Sequence, residues 1–209
     1  DVSERSLCLM DAESDGVPPE ARAEIAAAVR QALAKHGYAR LTTEKIAAES
    51  EKSEAGLYYY YDSKDEMIAA FLETAADYLA EDLEAVDAHG PEAKLRAACD
   101  CLFVDRADED ARGVNVAVME LLSHAPYNET LRGPLEAMQG NTLDHLAAVL
   151  AEGVEAGVFR AVDPEGVAAF LLAAANGSTG FYLALGMDEA GAALHEQVDT
   201  YVDGLLASA

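Results

Sequence analysis

The stretch from Thr42 to Ile68, TTEKIAAESEKSEAGLYYYYDSKDEMI, constrains this chain more than any other. It reads as a short helix, a tight turn, a second short helix rich in tyrosine, and the capped start of a third. Thr42 or Thr43 can cap the first helix, and Glu44 lies in its first turn, where negative charge is favoured. Ile46 and Ala47 supply a small apolar face, and Ser50-Glu51-Lys52-Ser53 breaks the pattern. Ser53 can cap the next helix, through Ala55, Gly56, Leu57 and Tyr58. Ser63 with Glu66 three residues on is a capping box, so a third helix begins at Lys64. Two short helices at a steep angle are the minimal device for setting a helix end into the DNA major groove. Lys64 then sits at a helix N-terminus, where its charge opposes the dipole and a DNA phosphate would relieve the conflict.

The order IA…S…AGLYYYYxSKxEMI resembles the N-terminal domain of the TetR family of repressors, through Ile46, Ala47, Ser53, Leu57, Tyr58, Tyr61, Ser63 and Lys64. A helix over Pro19 to His36, followed by Gly37-Tyr38, fits the family's first helix and its exit. The resemblance implies an all-α homodimer. Residues 19–66 would form an N-terminal three-helix helix-turn-helix DNA-binding domain, and 67–209 a C-terminal helical ligand-binding and dimerisation domain. Residues 1–18 would be a flexible lead. By the same resemblance Thr43, Tyr58, Tyr60 and Lys64 would hold phosphates, and Glu54, Ala55, Gly56 and Tyr59 would face base edges, with Lys45 and Ser53 beside them. The expected partner is a palindromic double-stranded operator, released by a small-molecule effector, with no cofactor and no catalytic group.

Two turn residues depart from that family, which usually has Gly and then a small aliphatic residue. Here stand Glu51 and Lys52. Glu51 is expected to take a left-handed conformation, at a cost for a non-glycine residue. Lys52 is expected to lay its stem over the apolar core with its ammonium in water. Glu54 stands where a polar or basic residue often faces DNA. These departures motivate a rival reading: a helical small-molecule-binding protein, or an enzyme, with a degenerate DNA reader.

Charge sharpens the contrast. The net charge is −25, yet residues 19–66 carry seven basic and nine acidic side chains, half of all the Lys and Arg in the chain. Residues 67–209 carry six basic and 25 acidic ones. An acidic, lysine-poor, alanine-rich surface resembles proteins of halophilic archaea. At 1 M salt the Debye length shrinks to about 3 Å, which mutes repulsion from DNA. No basic-then-apolar segment opens the chain, and the apolar run Val167 to Ala175 soon meets Asn176-Gly177-Ser178. A soluble cytoplasmic protein, with no membrane partner, is expected.

Helices are further expected over Lys64 to Asp87 (Met67, Ile68, Phe71, Leu72, Ala75, Tyr78, Leu79, Leu83, Val86), stopped by His89-Gly90-Pro91, and over Pro91–Val104, Ala111–His124 and Asn128–Ala156. A bend is expected near Gly133-Pro134, then helices from Pro164 to Leu185 and from Glu189 to Ala207. The small residues Ala173, Gly177, Gly180 and Ala184, with the stripe Leu194, Val198, Tyr201, Val202 and Leu205, suggest a bundle across a two-fold axis. A scaffold pairing with another regulator through Ala168–Leu185 is a further alternative. The resemblance places an effector pocket behind the long connector. Its candidates are Phe103, Met119, Leu122, His124, Met138, Asn141, Thr142, His145, Asn176 and Phe181, suiting a hydrophobic molecule or an acyl chain. Cys8, Cys99 and Cys101 form no disulfide framework, and five histidines show no metal-ligand spacing.

Overall fold

A computed structural model describes residues 17–85 and 90–207, with side chains omitted for 76–85. The expected lead up to residue 16 (with Cys8), the side chains of Tyr78, Leu79 and Leu83, and the helix end at Val86–His89 lie outside the described residues. Among those described, nine α-helices run in the order α1 (Pro19–His36), α2 (Thr43–Ala48), α3 (Glu54–Tyr58), α4 (Lys64–Ala85), α5 (Pro91–Leu102), α6 (Glu109–His124), α7 (Glu129–Glu155), α8 (Pro164–Ser178) and α9 (Asp188–Asp203). A 3₁₀ turn, Tyr38–Arg40, joins α1 to α2, and α8 continues as a π-helical segment, Thr179–Ala184. The described residues form no strand, only one isolated antiparallel bridge between Phe159 and Leu206.

The caps set the boundaries. Thr42 accepts the Lys45 N–H, Ser53 that of Gly56, Asp108 that of Ala111 and Asn128 that of Leu131. Ser63 Oγ accepts the Glu66 N–H at 3.2 Å, but the Glu66 carboxylate reaches back to the N–H of Asp62 (2.8 Å), not Ser63. Pro134 lies inside α7, which continues through it. Over Pro164–Ala184 the chain is apolar enough to cross a bilayer by composition, contrary to the expectation from Asn176-Gly177-Ser178. In the fold, 44% of its most apolar window is buried against neighbouring helices.

The segment expected to read DNA is not a separate bead. Ile25, Val29 and Leu33 of α1, Ile46 of α2, Leu57 of α3 and Met67, Ile68 and Leu72 of α4 share one core with Ala117 and Leu121 of α6 and Leu131 and Leu135 of α7. A second core joins Leu95 of α5, Leu146 and Leu150 of α7, Phe159, Leu171 of α8 and Val198, Val202 and Leu205 of α9. Helices α1 and α6 touch most closely at Gly113, where a Cβ would stand 2.4 Å from the Ala34 carbonyl oxygen.

The two departures in the α2–α3 turn resolve differently from expectation. No described non-glycine residue has positive φ, so Glu51 is unstrained. Lys52 keeps its ammonium at the surface but not alone: Nζ pairs with Glu24 Oε2 on α1 and lies 5.7 Å from the Tyr60 ring centroid. Glu24 Oε1 accepts the Ser50 hydroxyl at 2.9 Å, and Ser50 Oγ in turn accepts the Lys52 N–H at 3.0 Å. One carboxylate thus clamps a turn whose backbone needs no glycine.

Two outcomes follow. Gly113→Ala should lower stability by about 1–3 kcal/mol, because the methyl meets rigid backbone; a denaturant melt measures it. Lys52 and Ser50 hold the Glu24 carboxyl below its ordinary range, and Glu24 raises the Lys52 ammonium. The clamp therefore stabilises at neutral pH, fades as pH falls through the lowered Glu24 value, and fades again as pH rises through the raised lysine value. Lys52→Met should flatten both limbs of the stability–pH curve.

Candidate nucleic-acid interface and cavity

The outward surface of the reader is built by short helices that the core leaves half-clad. Leu57 anchors α3 fully buried, which turns Ser53, Glu54 and Ala55 to the exposed side, with Gly56 partly covered. Tyr59 is 82% exposed and Tyr58 46% exposed. The Tyr58 hydroxyl lies 2.9 Å from Thr43 Oγ1 and ties α3 to α2. Thr43 is buried, so it braces this joint rather than standing open to a phosphate, as the sequence suggested. Tyr60 is likewise half-buried: it packs on the first core beneath Lys52, edge-on to Tyr59 at 4.9 Å. Lys45 Nζ donates to the Arg40 carbonyl oxygen, and Lys64 Nζ to that of Leu41 at 3.3 Å, 4.7 Å from the Tyr38 ring centroid. Both cations are held at the edge of the α2–α3 surface by the carbonyls that precede α2.

A cavity of about 210 Å³ opens between the two cores. Phe71 and Ala75 of α4, Asn115, Val118 and Met119 of α6, Met138, Gln139 and Thr142 of α7, and Leu172, Ala175 and Asn176 of α8 line it. The described wall carries no charged side chain, and Phe71 is its one aromatic. Its polar groups are partly engaged. Thr142 Oγ1 donates to the Met138 carbonyl oxygen, Asn115 Nδ2 to that of Ala111, and Asn176 Nδ2 to Gln139 Oε1 at 3.2 Å.

Of the ten effector candidates read from sequence, Met119, Met138, Thr142 and Asn176 line this cavity, and the other six do not. Phe103 packs on the second core, edge-on to His195 at 5.7 Å. Leu122 packs on the first core, and His124 lies against the Tyr38 ring at 4.9 Å. Asn141 is one residue from Thr142, a rotation of about 100° on the helix, and is exposed. His145 lies a turn further along α7 than the cavity reaches, and Phe181 follows Thr179, the one residue of the π-helical segment that lines it. Sequence reasoning missed Asn115 and Gln139, although an amide inside an apolar helical face was a usable signal. It had no handle on Val118, Leu172 or Ala175, which look like ordinary core residues.

The expected pairing face also needs revision. Val198, Val202 and Leu205 are buried inside the protomer, and Leu194 and Tyr201 pack partly against the same core. Val198, Val202 and Leu205 are thus spent on the second core, while Leu194 and Tyr201 stay half-exposed. Gly180 faces inward, its Cβ position 3.1 Å from Met119 Cε. Ala173, Gly177 and Ala184 do stand exposed, beside Phe170 (51% exposed), whose ring lies 4.9 Å from that of Tyr201.

Comparison with known proteins matches these two regions separately. Residues 25–71 match the model described as bacterial regulatory proteins of the tetR family, and residues 91–207 match that of the BetI-type transcriptional repressor C-terminal region. The solved structure of a TetR transcription regulator from Haloarcula marismortui is 33% identical, with a TM-score of 0.75 over 88% of this chain and 97% of that one. A transcriptional regulator from Saccharomonospora viridis, solved in complex with choline, shares the fold at 18% identity and TM-score 0.75, over 92% of this chain and all of its own. An uncharacterised HTH-type transcriptional regulator of Bacillus subtilis, YfiR, is 27% identical over 147 residues, 68% of this chain and 70% of its own. With its distal model alone spanning more than half of the sequence, and a full-length relative at one-third identity, the chain belongs to the TetR family of transcription regulators.

Proposed function

We propose that the protein is a ligand-released repressor that binds a palindromic operator as a homodimer. The observation that carries this reading is the position of the cavity: α4 and α6 wall it and also contribute to the core under the reader. A molecule that fits one arrangement of those helices better than another shifts the reader by its differential affinity and no more. The exposed face of α8 and its π-helical continuation, Phe170, Ala173 and Gly177 with Ala184, supports a two-fold contact that presents two readers to two half-sites. Ser53, Glu54, Ala55 and Tyr59 would meet base edges. Lys45, Lys64 and the Tyr58 hydroxyl would meet phosphates, with Thr43, Gly56 and Tyr60 shaping the surface between them.

The effector we infer is neutral and mainly apolar, with a hydrogen-bonding head. An uncharged wall with a few amides suits such a molecule or a short acyl chain. A quaternary ammonium such as choline is better held by a cage of aromatic faces. The acidic composition, with the Haloarcula likeness, supports function in molar salt in the cytoplasm, where the DNA is.

Selection of bound DNA from a genomic pool at molar salt tests the whole reading. A protected palindrome supports it; no bound DNA at any salt supports instead a small-molecule-binding protein with a degenerate reader. On the selected operator, Lys64→Gln should reduce the salt slope of log K by about one. Glu54→Ala should relax a cytosine preference by about 1–3 kcal/mol, because a carboxylate accepts from the cytosine amino group. Ala173→Glu should give a monomer by sedimentation while keeping its helical spectrum.

A further inference from the structure

We propose that Glu120 is the positioning residue that sets the reader against the body, and that it carries the state of the cavity to the phosphate-binding lysines. The inference rests on the reading above. Helix α6 has two working edges. Asn115, Val118 and Met119 on one edge wall the cavity. On the other, Gly113 abuts the Ala34 backbone, and Ala117 and Leu121 are fully buried in the core shared with the reader.

Glu120 reaches furthest across. Its Oε2 accepts the Tyr38 N–H at 2.7 Å and the Ala39 N–H at 3.4 Å, across 82 and 81 residues of sequence. These are the first N–H groups of the 3₁₀ turn, which has no side-chain cap of its own. A carboxylate on backbone N–H makes a charge-assisted bond, stronger than a neutral one. Gly37 makes room for it: φ is 69°, and a Cβ there would lie 3.2 Å from the same oxygen. The groove around Glu120 also holds Arg40 and Arg112, yet the carboxylate is bonded to the turn.

The turn then hands the position on. The carbonyl of Arg40, its last residue, holds Lys45, and that of Leu41 holds Lys64. Thr42, next in sequence, caps α2. A shift of α6 caused by an occupant of the cavity therefore moves the two cations and the start of α2 together.

Glu120→Ala and Glu120→Gln test the inference together, since the glutamine oxygen can still accept both N–H groups. Expected in Glu120→Ala is amide exchange at Tyr38 and Ala39 about tenfold faster or more, with a smaller salt slope for operator binding as Lys45 and Lys64 lose register. Glu120→Gln should restore most of both. Filling the cavity with Ala175→Phe, or with Thr142→Phe if the first loses its helical spectrum, should weaken operator binding in the parent and leave it unaltered in the Glu120→Ala background. Unchanged exchange at Tyr38 and Ala39 in Glu120→Ala would overturn the proposal, as would an equal effect of cavity filling in both backgrounds. If the parent selects no operator, the regulatory reading fails, and the exchange arm still decides whether Glu120 holds the turn.

Discussion

Helix α1 is enclosed on several sides, and the rest of the molecule depends on that enclosure. Its buried residues Ala21, Ile25, Ala26, Ala28, Val29, Ala32 and Leu33 cover more than the narrow stripe a surface helix shows. Helices α2 and α4 take part of that surface and α6 takes another. The small side chains let those neighbours approach, most closely where Gly113 meets Ala34. Because close-packed interfaces resist gradual deformation, α1 transmits displacement rather than absorbing it. A reader fused in this way can be moved from the body, which a reader on a loose tether could not.

Electrostatics then sets the conditions under which such a reader works. A net charge of −25 repels DNA at low salt, and no local feature of the reader cancels it. The arrangement economises on cations instead. Lys52 is committed to Glu24 and Lys35 to Glu49, at 2.6 Å. Lys45 and Lys64 are left on backbone carbonyls, which bear no net charge and leave each ammonium its full attraction for a phosphate. In molar salt the distant carboxylates are screened within a few ångströms, so their repulsion fades, while each ammonium–phosphate contact weakens by its own share of the salt slope.

The sequence made the helices legible because their ends are marked chemically. Pro19 opens α1 and Asn128 caps α7, and the helix-turn-helix is delimited by Thr42, Ser53 and Ser63 acting within a few residues of themselves. What stayed hidden depended on contacts distant in sequence. Lys52 looked like a solvated misfit because its partner, Glu24, is 28 residues away on another helix. Val198 and Val202 looked like a pairing stripe because periodicity names a buried face without saying what buries it. Glu120 looked like any acidic residue on an amphipathic helix, since nothing local predicts that it caps a turn 82 residues upstream.

The cavity follows from the same geometry. Helix α7 serves both cores, Leu131 and Leu135 in one and Leu146 and Leu150 in the other. Between them, at Met138, Gln139 and Thr142, packing gives way to space. Large apolar side chains there would occupy the volume that the proposed effector needs. Retaining Ala175 and Thr142 there, with Gln139 and Asn115 beside them, costs packing contacts and keeps a volume that a ligand can complete. Since α6 closes one side of that volume and grips the reader with its opposite edge, the cavity lies one helix away from the surface that would meet DNA.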